Sequence, residues 1–181
     1  MVKCTFAGHR EVYGSGVEER LNLALERLLE EDEEFCFYAG GMGEFDAMSA
    51  RAVRVLRQHH PEKKIHLYLV LPYMKQSVNE DKLLKTLYDE IIIPMELAEC
   101  HYKSAIAKRN RWIIDRCSHL ICFIQRDFGG AYTTYQYAKK KGLTIKNVAN
   151  ENVANRTNEN VANRNEGKQN EDSEKVSPES S

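Results

Sequence analysis

Apolar and polar positions along the chain change period repeatedly, from strand-like runs to helical stripes and back. Residues 2–7 (VKCTFA) form a short β-type run. Val17, Leu21, Ala24, Leu25 and Leu28 then recur at spacings of three and four, which predicts one buried helix face. Ser15-Gly16-Val17-Glu18 ahead of them has the form of a capping box, with Ser15 as N-cap and Glu18 three residues on. Phe35 to Ala39 reads as a second strand ended by glycines, and Glu44 to about His59 as a helix closed by Pro61. Ile65 to Leu71 is mostly apolar, as strands buried on both faces tend to be.

Further along, Asn79 is placed to cap a helix through Asp89, and Ile91-Ile92-Ile93 suggests a short strand before Pro94. A helix fits 103–116, a buried strand His119 to Ile124, a helix Ala131 to Lys141 and a last strand Leu143 to Ile145. Lys139, Lys140 and Lys141 suit the negative end of the helix dipole, and Gly142 stops it. Regular β-α alternation predicts a Rossmann-like, doubly wound, mostly parallel sheet in a single α/β domain.

The pattern ends near residue 147. Asn150 to Thr157 (NENVANRT) is nearly repeated as Asn158 to Asn165 (NENVANRN), and a further Asn-Val-Ala-Asn starts at Asn147. The remainder is polar and lacks aromatic residues. Such a segment buries too little apolar surface to offset chain entropy, so 147–181 is expected to be a disordered tail and 1–146 the domain. A linker, a partner-binding tail and an expanded terminus without fixed role are all consistent with it.

Composition narrows the function classes. The chain has 181 residues, 42% hydrophobic and 29% charged, with a formal net charge of −1, so bulk nucleic-acid binding has no strong signal. No apolar run reaches membrane-spanning length, and the N-terminus does not read as a secretory signal. Five cysteines at irregular spacing fit a reducing cytoplasm better than a disulfide framework.

The chemistry-bearing residues fall just after predicted strands. Gly8-His9-Arg10 follows the first, Gly40-Gly41-Met42-Gly43 the second, Pro72-Tyr73 the third, and Phe128-Gly129-Gly130 the strand at 119–124. In a parallel sheet these C-terminal ends share one edge, where open α/β sheets bind ligands. Glycines there let backbone N–H groups approach a phosphate, and each following helix adds a positive dipole end. For any one glycine the alternative is a turn that needs positive φ.

Arg109 lies on or beside the inner stripe of its helix, where a guanidinium needs an anion. A ligand phosphate and an internal carboxylate, Asp46 or Asp115, are the two candidates; Arg111 and Arg10 are further phosphate candidates. Asp46 could complement the helix dipole, accept a ribose hydroxyl or bond the loop amides. Tyr73, Tyr132 and Thr133 could supply base stacking and hydroxyl contacts. Cys100, His101, Cys117, His119 and Cys122 lack the paired spacing of a zinc site, so neither metal nor cofactor is expected. His9 is a possible general base without a placed nucleophile.

Taken together, Cys4 to Arg10, Gly40 to Asp46, Arg109 to Asp115 and Gly129 to Ala138 resemble the YpsA-like branch of the SLOG superfamily. That superfamily joins the Smf/DprA DNA-processing proteins and the Lonely-guy phosphoribohydrolases. The resemblance spans residues 1–146 and implies a nucleotide or nucleotide-sugar ligand, with a homo-oligomer as a possible state. It implies a cradle of Gly8, His9, Arg10, Gly40, Gly41, Gly43, Asp46, Gly129, Gly130 and Thr133, with Arg109 or Arg111 on phosphate.

One departure bears on activity. The Lonely-guy segment P-G-G-x-G-T-x-x-E has its matching stretch here with Phe128 for Pro, Tyr132 for the third Gly and Gln136 for Glu. A carboxamide neither takes nor delivers a proton at neutral pH. Binding without hydrolysis is therefore the leading expectation. N-glycosidic hydrolysis, with Glu44 as a substitute carboxylate, and a DNA-processing accessory role are the alternatives.

Overall fold

The computed structural model describes residues 1–73, 82–97 and 100–149. Its strands are β1 (Val2–Gly8), β2 (Glu34–Ala39), β3 (Lys64–Val70), β4 (Glu90–Ile92), β5 (His119–Phe123) and β6 (Thr144–Asn147). They form one sheet in the order β4-β3-β2-β1-β5-β6, every neighbouring pair parallel. The helices are α1 (Val17–Leu28), α2 (Glu44–His59), α3 (Lys82–Leu87), α4 (Tyr102–Ile114) and α5 (Gly130–Lys141), with a 3-10 turn at Met95–Leu97. This is the Rossmann-like doubly wound arrangement that the alternation predicts. The proposed Asn79 cap and the tail beyond Ala149 lie outside the described residues.

Strand alternation explains the two-sided core. Phe35 and Phe37 point to one face and meet Leu21, Leu25 and Leu28 of α1 and Val53 and Leu56 of α2. Cys36 and Tyr38, one residue out of phase, point to the other face and meet Ile113 of α4. In β5, Phe123 belongs to the first face, while Leu120 and Cys122 meet Ile114 of α4 and Ala138 of α5 on the second. Leu21, Leu25, Phe35, Phe37 and Phe123 are fully buried, each worth about 1.5–3 kcal/mol relative to exposure.

Two local expectations are corrected. The capping box at Ser15 does not form. Gly16 is the N-cap, in the left-handed region at φ 71, with no side-chain cap bond. A box needs an extended N-cap one step before the helix; here the left-handed turn at Gly16 leaves Ser15 outside, and its carbonyl accepts from Arg20 instead. Glu18 reaches across to Arg51 of α2 at 3.0 Å rather than back to the cap.

The last strand also runs later than Ile145. Asn147 Nδ2 donates to the Ile124 carbonyl at 2.9 Å while its Oδ1 accepts the Ile124 N–H at 3.0 Å, continuing the ladder with a side chain. Val148 is 1% exposed, and its carbonyl accepts from Arg20 Nε at 2.7 Å. The first Asn-Val pair of the repeat is thus part of the packed structure.

Gly8 shows how tightly the sheet edge is filled. A Cβ there would stand 2.4–2.5 Å from Phe45, a fully buried ring stacked on Phe123 at 5.7 Å. A Cβ at Gly130 would meet nothing within 4 Å. Urea unfolding should therefore find Gly8→Ala destabilised by about 1–3 kcal/mol, the range for overpacking. Gly130→Ala should stay within about 0.5 kcal/mol of the parent.

Candidate functional site

The strand order places a crevice above the C-terminal ends of β1 and β5. Chain connections run from β1 outward through β2, β3 and β4, then cross to β5 on the other side of β1. At such a switch point the loops leave in opposite directions and open a gap above the strand ends. The gap here is a cleft of ≈ 380 Å³, within the size range of small-molecule sites. Gly8, His9 and Arg10 after β1, Gly40, Met42 and Asp46 after β2, and Arg126, Phe128, Gly129, Gly130 and Ala131 after β5 line it, with Arg109 and Asn110 reaching in from α4.

Arg109 is the unusual group. It is 2% exposed although its side chain is a cation. Nη1 donates to the Val70 carbonyl at 3.0 Å, and Nε is buried without a partner among the described residues. Burial disfavours its charge, and Asp46 opposes that effect. Gly40 makes the room: a Cβ there would stand 2.0 Å from Nη1. The glycine after β2 is thus needed for close approach of a side chain.

Of the three roles considered for Asp46, the structure shows the bond to the loop amides. Oδ1 accepts the Gly40 N–H at 3.2 Å and Oδ2 the Met42 N–H at 2.8 Å. Burial raises its pKa, opposed by the Met42 and Gly40 amides and by Arg109. Amides bonded to Asp46 are occupied as donors, so this loop is closed by its own carboxylate. Gly41 (φ 68) and Gly43 (φ 89) shape it, their missing Cβ positions lying 2.8 Å from Leu69 and 2.9 Å from the Arg10 Cα.

The opposite wall is open. α5 begins after Gly129 (φ 91, ψ 177) with no side-chain cap, and neither Gly129 nor Gly130 has an atom within 4 Å of a built Cβ. The first-turn N–H groups of a helix have no intrahelical partner. Gly130 and Ala131 of that turn in α5 line the cleft together with Arg109 and Arg126, and the dipole end there favours an anion.

Other predicted residues separate from the cleft. Arg111 and Thr133 line a neighbouring cavity of ≈ 220 Å³ between α4 and α5; Ile106, Asn110, Gly130 and Thr134 belong to both. Arg111 sits over the Tyr137 ring at 5.4 Å. Thr133 Oγ1 donates to the Gly129 carbonyl. Tyr132 stacks on Tyr135, and Tyr73 is not among the cleft residues. Asp115, the other carboxylate considered for Arg109, binds Lys141 at 2.6 Å. Among the described residues, no three His, Cys, Asp or Glu side chains are placed to hold a metal.

Sequence reasoning missed Arg126 and underused Phe128. Arg126 follows β5 directly, and position on the shared strand edge was the available signal. Its guanidinium lies 5.1 Å from the Phe128 ring centroid. Asn110 Nδ2 donates to Thr134 Oγ1 at 3.0 Å and ties α4 to α5.

No protein-family model matches the chain, and no curated protein matches it. Solved structures of DNA processing protein A (DprA) are similar in fold. That from Helicobacter pylori, described for its single-stranded DNA binding mode, is 16% identical with a TM-score of 0.56 over 90% of this chain and 73% of that one. That from Streptococcus pneumoniae is 16% identical with a TM-score of 0.54 over 80% of this chain. The chain spans about half (49%) of the Streptococcus pneumoniae protein. At this identity the likeness shows a shared Rossmann-like fold.

Proposed function

We propose that the protein binds a nucleotide or nucleotide-derived ligand through its phosphate, without hydrolysing it. The carrying observation is the buried Arg109 guanidinium with an unpartnered Nε, lining the same cleft as the uncapped N-terminus of α5. A phosphate there would gain charge-assisted bonds from arginine and backbone donors together. The Gly40–Gly43 loop would act as the support that holds Arg109, its Gly40 and Met42 donors being committed to Asp46. The four motifs support placing the chain in the SLOG superfamily, in its YpsA-like branch.

The absence of hydrolysis follows from where the candidate acids and bases sit. Gln136 is exposed, bonded to the Tyr132 hydroxyl and outside the cleft lining. Glu44 accepts the Val12 N–H at 2.8 Å, so it braces the β1–α1 loop instead of replacing the missing carboxylate. Asp46 uses both oxygens on its loop. His9 Nε2 accepts the Gln125 N–H at 3.3 Å, which requires the neutral ring, and burial followed by Arg126 lowers its pKa. Among the described residues that line the cleft, these bonds leave no acid positioned for an N-glycosidic leaving group.

A DNA-processing role is the second reading, favoured by the DprA fold likeness and by Arg10, Arg126 and Phe128 at the cleft. Arginines with an aromatic ring are the elements of sequence-tolerant strand binding.

A thermal-shift panel of AMP, NAD, ADP-ribose, cyclic nucleotides and sugar nucleotides tests the leading reading. A true ligand at about 100 times its Kd should add roughly 2.7 kcal/mol. Arg109→Lys, which keeps the charge and loses the fork, should weaken binding about tenfold or more, an effect of roughly 1.5 kcal/mol or above. No shift with any member would refute the proposal. Incubation with nucleoside monophosphates should release no free base, and Gln136→Glu should not create that activity. For the second reading, retention of single-stranded DNA that falls steeply with salt is the expected mark; salt-independent or absent retention would remove it.

A further inference from the structure

The aromatic residue at the cleft mouth is in an unusual state. Phe128 lines the cleft and is 61% exposed, and it follows β5 on the same short segment as Arg126. The Arg126 guanidinium lies over the ring at 5.1 Å from its centroid. A large apolar ring left in water beside a polar cleft forgoes burial worth having. A cation on one face orients the ring and leaves the rest of its surface for a planar partner.

Among the described residues, other aromatic rings near the cleft are already engaged. Tyr137, in the neighbouring cavity, has Arg111 and Lys141 each 5.4 Å from its centroid and donates its hydroxyl to Asp115. Tyr132 and Tyr135 stack on each other at 6.0 Å. Phe6 and Phe45 are buried in the core. Tyr13, 63% exposed, is outside the cleft lining and bonded to Glu11.

We infer that Phe128, steadied by Arg126, is the stacking platform for the base of the bound nucleotide, with the phosphate turned inward to Arg109 and the first turn of α5. The inference rests on the phosphate-binding reading above and deepens it: the ligand carries an aromatic base, so sugar phosphates are weaker ligands than nucleotides. Stacking reads a π-face and not an edge, so purines are preferred to pyrimidines by their larger area and no base is excluded. Phe128 is a specificity-determining residue, and Arg126 a positioning residue that acts through the ring.

The test uses 2-aminopurine riboside 5′-monophosphate, whose fluorescence is quenched on stacking, against ribose 5-phosphate, which has no base. The full-length protein should quench the probe and bind it more tightly than ribose 5-phosphate. Phe128→Ala should abolish the quench and weaken the probe by roughly 5- to 100-fold, while Phe128→Trp restores both. Ribose 5-phosphate should bind Phe128→Ala and parent alike. Arg126→Gln should reduce the quench with a smaller loss of affinity. A quench and affinity unchanged in Phe128→Ala, or an equal loss for ribose 5-phosphate, overturns the platform while phosphate binding stands. If neither probe binds the parent protein, the phosphate reading fails and the platform falls with it.

Discussion

A guanidinium held out of water at the C-terminal edge of the sheet constrains much of what surrounds it. Desolvating such a cation costs several kcal/mol, which the protein must offset by nearby negative charge and carbonyl oxygen. Arg109 is offset by the Val70 carbonyl at the end of β3 and by the field of Asp46. Asp46 is in turn held by the Gly40 and Met42 amides. Residue 40 must be glycine, because Nη1 occupies the space of its Cβ. The loop after β2, the first turn of α2 and the middle of α4 are coupled by this one buried charge.

That coupling gives the cleft two unlike walls. On the β2 side, two donors are spent on an internal carboxylate, so the glycines there serve construction. On the α5 side, the helix begins without a cap, and its glycines face open space. Arg109 stands between them with one donor unpaired. In the proposed reading an anion would find its partners on the β5–α5 wall and in Arg109, not spread evenly over the loops that follow the strands. The rim beyond carries Arg126 and Phe128, where charge and apolar area meet.

The strand-like and helical periods were legible because they report burial directly. Val17 to Leu28 is apolar at helical spacing because α1 buries one stripe, and Phe35 to Ala39 is apolar throughout because both faces of β2 are covered. The capping box at Ser15 misled because a four-residue pattern cannot show that Gly16 turns left-handed and starts the helix later. Ile145 was too early an end for the last strand, which runs to Asn147, since Asn147 and Val148 look like the repeat that follows them. Only contact with Ile124 and Arg20 shows that they are held.

By itself the sequence determined the parallel α/β layout and the edge of the sheet where the unusual loops gather, because strand and helix periods and chain order are local properties. Tertiary structure decided which of those loops is occupied and which is open. A glycine reads the same whether its missing Cβ makes way for Arg109, a loop turn or a ligand, and Asp46 could be assigned to the loop amides only once both ends of those bonds were in place. The division between support and site depends on partners distant in the chain: Arg109 lies 39 residues from the Val70 carbonyl that holds it. No local pattern of residues carries that pairing.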